Sequence, residues 1–151
     1  MKTIVTFGIL AALIFLIQLP AEAKYLGRLS QNEFDPDSTS NQFGTYGSKF
    51  SPDSINNQFG EYGSQFSPNG VNNQFATGGP KLYGSDGQFL GNVNSNQFDP
   101  DSVSNPFGQY GSQFSPTSIN NQFSQYGSPF SPQSANNQFA TDAPIIIGDE
   151  S

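Results

Sequence analysis

Residues 50–65 read F-S-P-D-S-I-N-N-Q-F-G-E-Y-G-S-Q, and at Phe66 the sentence begins again. The same sixteen residues, with substitutions, start at Phe34, Phe50, Phe66, Phe98, Phe114 and Phe130. From residue 24 onward, a shift of 64 lays the chain on itself without a gap. Tyr25-Leu26-Gly27 falls on Phe89-Leu90-Gly91, Phe34-Asp35-Pro36-Asp37-Ser38 on Phe98-Asp99-Pro100-Asp101-Ser102, and Phe75-Ala76-Thr77 on Phe139-Ala140-Thr141. A fixed period of this kind signals a repeat architecture and is read before local propensity. The chain therefore divides into halves 25–88 and 89–151, each built on a 64-residue unit of four sixteens.

Within the sentence, Ser or Asp stands before Pro at 51–52, 67–68, 115–116, 131–132, 35–36 and 99–100. A side-chain oxygen at a cap, with Pro at the first helical position, predicts a helix start. Asn-Asn or Ser-Asn follows about five residues later and favours a turn. The expected element is thus a single turn of α- or 3₁₀-helix. Asn-Gln-Phe reads as extended, and Tyr-Gly-Ser (46–48, 62–64, 110–112, 126–128) as a tight turn in which Gly supplies an unusual backbone angle.

The aromatics keep phase at positions 1, 10 and 13 of the sixteen: Phe50, Phe59 and Tyr62, or Phe114, Phe123 and Tyr126. Position 6 is often aliphatic (Ile55, Val71, Val103, Ile119). Neither a helix nor a strand period spans the sentence. A coil that returns every sixteen residues fits, and it would stack Phe on Phe and Tyr on Tyr within the core. Those six aromatics are the expected structural residues.

The fourth sixteen departs from the sentence. Asp86-Gly87 between two apolar runs predicts an antiparallel hairpin over 81–94, with strands at 81–83 and 88–93. Under the 64-residue shift, Tyr25-Leu26-Gly27-Arg28-Leu29 is the second strand of such a hairpin and Pro144-Ile145-Ile146-Ile147-Gly148 the first. Left unpaired, both would be exposed apolar edges. Pairing of 144–148 with 25–30 is therefore expected to close the object. The expected fold class is mainly irregular and β-hairpin structure with single-turn helices: tandem sixteens in two pseudo-symmetric halves, closed by the terminal strands.

Lys2, an apolar run from Ile4 to Leu19, and Ala21-Glu22-Ala23 have the pattern of a secretory signal peptide over 1–23, cleaved after Ala23. The expected location is secreted or periplasmic, with a single repeat domain over 24–151 and no stable membrane insertion after cleavage. The formal charge of −7 argues against nucleic acid, which needs clustered Lys and Arg. The absence of Cys excludes disulfides and thiolate sites, and the absence of His removes the commonest base and metal ligand. Leu, Ile, Val and Phe make up 25 of the 128 residues from 24 onward, a level at which disorder competes with folding. The strict register of Pro, Gly and Phe favours a folded, loop-rich domain.

Chemistry-bearing candidates are few. Asp35, Asp37, Asp99 and Asp101 sit in two D-P-D triplets that open like a calcium loop but lack its later ligands. They read first as caps that suit a helix dipole, and second as weak calcium candidates. Ser has no visible base, and every candidate Asp recurs in the repeat, so no catalytic residue and no cofactor is expected. None of the 15 Asn residues begins an N-glycosylation acceptor. The tyrosines of Tyr-Gly-Ser read as core, with an exposed ligand-binding ladder as the alternative.

The run Tyr-Gly-Ser-x-Phe-Ser-Pro-x-Ser-x-Asn-Asn-Gln-Phe, seen over 62–75 with Gly70 in place of its third Ser, resembles a group of small exported bacterial proteins. Their repeats read approximately Y-G-S-P-Y-S-P-D-S-I-N-N-P-Y-G between short hairpins. The resemblance spans most of 25–148, with Phe and Gln here in place of many of that group's Tyr and Pro residues, and it implies no activity. Curli-type amyloid repeats share the Ser, Gln, Asn and Gly, but not the spacing or the Pro density, and Pro interrupts cross-β stacking. The functional expectation is an exported non-enzymatic repeat protein with a structural or binding role. The alternatives are a disordered, self-associating matrix or adhesive component, and a weak calcium- or glycan-binding module. No partner is named by the chain beyond self-association.

Overall fold

The structure, a computed structural model, describes the backbone of residues 3–5 and 17–19 and residues 23–149 in full. Thr3–Val5 (β1) and Ile17–Leu19 (β2) pair antiparallel, with Thr3 opposite Leu19. Most of the expected signal peptide, 1–23, lies outside the described residues. Among the described residues, no helix is long and apolar enough to cross a membrane.

The protein is mostly irregular, organised on a small antiparallel sheet of Ala23–Arg28 (β3), Lys81–Tyr83 (β4), Phe89–Asn92 (β5) and Ile145–Asp149 (β6), in the order β3-β6-β4-β5. The expected hairpin is β4-β5, with Lys81 opposite Asn92 and Leu82 opposite Gly91. The expected closure is β3-β6: Tyr25 faces Ile147, Arg28 faces Ile145, and the Leu29 N–H donates to the Pro144 carbonyl at 2.8 Å. The sequence does not announce that β6 also pairs with β4, Leu82 opposite Ile146, which joins both features in one sheet. A strand flanked on both sides and covered on both faces needs an unbroken apolar run. Ile145, Ile146 and Ile147 supply it, and all three are buried.

The outer strands are not left open. Arg28 donates its N–H to Asp37 and accepts from Thr39, while Asn92 donates to Asp101 and accepts from Val103, all at 2.7–2.9 Å. These parallel bridges occupy the outer edges of β3 and β5, where unpaired groups would otherwise invite another strand. Gly27 (φ 93°) and Gly91 (φ 113°) sit in the left-handed region at the same place in the two edge strands. A Cβ at either would lie within 2.8 Å of both a backbone carbonyl and the Cβ of Tyr46 or Tyr110.

The expected single-turn helices are absent; the chain has no helices among the described residues. Each Ser-Pro or Asp-Pro opens a β-turn instead, with the i+3 N–H donating back, as in Ser38 to Asp35, Ser54 to Ser51 and Ser118 to Ser115 (3.0–3.3 Å). The cap chemistry is as read: Asp35 Oδ1 accepts the Asp37 N–H and Ser51 Oγ the Asp53 N–H. Propagation is what fails. The residue that ends one turn begins the next: Ser54, Asn57 and Gly60 each accept a new bond, from Asn57, Gly60 and Ser64. Ser54 Oγ and Asn57 Oδ1 again take the N–H two residues on. A side-chain oxygen recurring every third residue captures the N–H groups that a helix would need. Among the described residues, no non-glycine residue has positive φ, so these Pro-containing turns are not type II.

The core comprises Leu26, Ile55, Tyr62, Leu82, Leu90, Val93, Ile119, Tyr126, Ala135 and Ile146, with Leu29, Val71 and Val103 packed against it. Position 6 supplies it as expected, with Tyr62 and Tyr126; Tyr46 and Tyr110, expected in the core with them, are only half-buried. The inward stacking of phenylalanines does not occur: Phe50, Phe59, Phe114 and Phe123 all face solvent. A second correction concerns Tyr-Gly-Ser. Its glycines have no positive φ; they are there because a Cβ at Gly47, Gly63, Gly111 or Gly127 would strike the carbonyl of the Asn six residues earlier.

Candidate functional site: the outward phenylalanines

Twelve phenylalanines, 34, 50, 66, 98, 114 and 130 at position 1 and 43, 59, 75, 107, 123 and 139 at position 10, are each 78–96% exposed. Single exposed apolar residues are ordinary, but an ordered set of twelve in a small protein is not. Each forfeits about 1.5–3 kcal/mol available from burial, so their exposure costs the fold stability.

The backbone under every ring is fixed in the same way. Each Phe N–H donates to a side-chain oxygen two residues earlier, at 2.9–3.1 Å. Asn provides that oxygen before all six position-10 rings, and before Phe34 and Phe98; Ser provides it before Phe50, Phe66, Phe114 and Phe130. The Phe is therefore the third residue of an Asx- or Ser-turn, with its side chain held away from the turn's inner face.

The Asn-Asn doublet divides two further tasks. The second Asn folds its own sixteen: Nδ2 of Asn57, Asn73, Asn121 and Asn137 donates to the carbonyl six residues back, at 2.8–3.0 Å. The first reaches across. Asn56 Nδ2 donates to the Thr39 and Gly47 carbonyls, Asn120 to Val103 and Gly111, and Asn136 to Ile119 and Gly127 (2.7–3.0 Å). The Ser at position 5 (38, 54, 102, 118, 134) is fully buried, and its Oγ accepts the N–H two residues on. Among the described residues, no buried side-chain polar atom lacks a partner.

Shallow grooves run between neighbouring rings. Phe34 and Phe43, Phe59 and Phe66, Phe75 and Phe98, and Phe114 and Phe123 each flank one, of 420–530 Å³. The remaining lining is Gln, Asn, Ser and Gly, with Glu33 in the first of these. These grooves offer phenyl faces and neutral amides, with the Glu33 carboxylate in the first of them.

The aspartates are engaged in the fold. Asp37 Oδ2 accepts the Tyr25 hydroxyl at 3.3 Å, and burial, with Asp35 nearby, raises its pKa. Burial opposes the charge on Asp99, yet its pKa is lowered, because Asn94 Nδ2, the Asp101 N–H and Asn92 Nδ2 donate to its oxygens and Lys81 lies near. Among the described residues, no cluster of three acidic side chains could hold a metal, and the D-P-D triplets serve as turn openers. Tyr62 donates its hydroxyl to the Asp149 carbonyl (2.8 Å), and Tyr126 donates to Asp86 Oδ2 (2.7 Å). Burial, helped by that hydrogen bond, pushes the Tyr126 phenol well up; burial and the Asp37 charge do the same at Tyr25. Tyr25 also packs edge-on to Tyr46, as Phe89 does to Tyr110, at 5.2 and 5.0 Å.

The structure thus separates the six expected structural aromatics: Tyr62 and Tyr126 are core, while Phe50, Phe59, Phe114 and Phe123 belong to the exposed set. Among the phenylalanines the signal is present in sequence, though it does not extend to tyrosine, since buried Tyr126 also follows Ser124 by two residues. Each outward Phe lies two residues after an Asn or Ser, the third position of a turn; Phe89, which does not, is half-buried. Comparison with known proteins gives no match: no family model, no curated protein and no solved structure matches the chain.

Proposed function

We propose that the chain is an exported, non-enzymatic repeat domain whose role is to display phenyl rings on a fixed scaffold for non-covalent association. The observation that carries this is the twelve exposed phenylalanines, each over a backbone clamped by the same hydrogen bond. Large ordered apolar exposure marks an interaction surface. The leader pattern over 1–23 supports export, to the periplasm or the medium. Cleavage after Ala23 would cost the sheet one register pair, Ala23 with Asp149, and leave Lys24 opposite Gly148.

The display is read as two pseudo-symmetric halves of stacked sixteens. Supporting this, the Gly27 and Gly91 contacts, the Tyr25–Tyr46 and Phe89–Tyr110 pairs, and the approach of Tyr62 to Gly148 and of Tyr126 to Gly84 recur at a spacing of 64. The Asn bridges recur at sixteen. Equivalent rings then fall into rows: 34, 50 and 66 beside 43, 59 and 75, and their counterparts in the second half.

The test is adsorption to an apolar surface such as phenyl-bearing resin. The full chain, purified after export, binds strongly; replacing Phe43, Phe50, Phe59 and Phe66 together with Phe107, Phe114, Phe123 and Phe130 by Ser releases it while the urea midpoint holds. Unchanged adsorption by the folded variant would overturn the reading.

A further inference from the structure

Charge is distributed unevenly along this chain. From Ser102 to Thr141, forty consecutive residues, there is no Asp, Glu, Lys or Arg, although the protein carries −7 overall. The matching stretch of the first half, 38–77, holds Lys49, Asp53 and Glu61. Five of the outward rings, Phe107, Phe114, Phe123, Phe130 and Phe139, belong to the uncharged stretch. The groove between Phe114 and Phe123 is lined otherwise by Gln113, Asn120, Asn121 and Gln122 alone. Even paired side chains follow the division: Asn69 donates to Glu61 in the first half, and Gln125 donates to Gln133 at the same place in the second.

We propose that residues 102–141 form the docking face for a second copy of this chain, the two uncharged halves meeting in a twofold dimer. The inference rests on the reading of the outward rings as association elements and names their partner.

Three considerations select that occupant. The first is area. An aromatic side chain buries about 150–250 Å², so five per copy bring roughly 750–1,250 Å², against about 800 Å² per partner in a standard interface. The second is electrostatics. Copies of a −7 protein repel, and juxtaposed like charges cost several kcal/mol; two copies that meet through this stretch bring no charged side chain of the stretch itself into the interface. The third is chemical self-complementarity. A twofold interface sets the same patch against itself, and Gln and Asn amides both donate and accept, so a ring-and-amide surface satisfies its own copy.

Analytical ultracentrifugation of the full chain, purified after export, tests this across the micromolar range. The wild type sediments as a dimer. The variant with Phe107, Phe114, Phe123 and Phe130 changed to Ser sediments as a monomer, and the variant with Phe43, Phe50, Phe59 and Phe66 changed to Ser remains a dimer. Gln122→Glu, a single exposed change that leaves the rings in place, raises the dimer Kd by about 100-fold, and added salt recovers part of the loss; it carries the test if the fourfold variant does not fold. A monomeric wild type overturns the proposal, as does an equal response to substitutions in the two halves. A monomer that still adsorbs to phenyl resin removes the second copy and points to a neutral ligand such as a polysaccharide. A monomer that does not adsorb removes the display reading as well.

Discussion

Phe59 and Tyr62 lie three residues apart in one turn sequence, and the structure assigns them opposite fates. Phe59 is 88% exposed; Tyr62 is 2% exposed, its ring close against Gly148 and its hydroxyl on the Asp149 carbonyl. Three substitutions form a graded series. Phe59→Ala removes a ring with almost no packing and changes stability by no more than about 0.5 kcal/mol. Tyr62→Phe removes one hydrogen bond to β6 and costs about 0.5–1.5 kcal/mol. Tyr62→Ala opens a cavity beside Leu26 and the closing strand and costs about 3–5 kcal/mol. With a urea slope of about 2 kcal/mol per M, the midpoint is unmoved, falls by about 0.5 M, and falls by about 2 M, respectively. Equilibrium urea unfolding followed by circular dichroism measures all three. If Phe59→Ala costs as much as Tyr62→Ala, the division into inward tyrosines and outward phenylalanines is wrong.

Other expectations follow from particular contacts. Gly63→Ala drives a Cβ into the Asn57 carbonyl and lies 2.8 Å from that of Ile55, so it destabilises by more than about 3 kcal/mol or prevents folding. Gly78→Ala meets nothing within 4 Å at an ordinary φ, and raises the melting temperature through about 0.4–1 kcal/mol of lost unfolded-state freedom. At high pH, Tyr25 and Tyr126 matter: their phenols titrate above the ordinary 10.0 in the folded chain and near it when unfolded. Their contribution is intact below about pH 10 and declines as pH rises beyond it. The urea midpoint therefore drops as pH rises above about 10, and the double variant Tyr25→Phe, Tyr126→Phe shows a shallower drop. Asp99 acts in the acid range. Its lowered pKa gives stability that is present above the unfolded carboxylate value of about 4 and is lost as pH falls through the folded value, with Asp37, raised, working the other way. Asp99→Asn accordingly lowers the midpoint at neutral pH and flattens its acid dependence.

The sheet was legible because its signals are local or topological. Asp86-Gly87 specifies a hairpin by turn chemistry, and the 64-residue shift exposes two half-hairpins whose apolar edges demand each other. The pairing of β6 with β4 was not legible, since nothing in Ile145-Ile146-Ile147 distinguishes a strand with one neighbour from a strand with two. The helix expectation failed for a reason that is itself in the sequence. A cap is a start signal only if the next N–H groups are free, and Ser54 and Asn57 claim them again at every third residue. The candidate surface was missed by treating every Phe as core. Hydrophobicity gives no direction; turn position does, and Phe59, two residues after Asn57, occupies a place where the chain turns its side chain outward.

The most direct test of the central claim is solvent paramagnetic relaxation of the aromatic ring protons, recorded with a soluble neutral gadolinium chelate. The rings of Phe43, Phe50, Phe59 and Phe66, which lie outside the uncharged half and so stay open in a dimer, relax strongly, while Tyr62 and Tyr126 are shielded. Phenylalanine rings as shielded as Tyr62 would contradict the account and return them to the core.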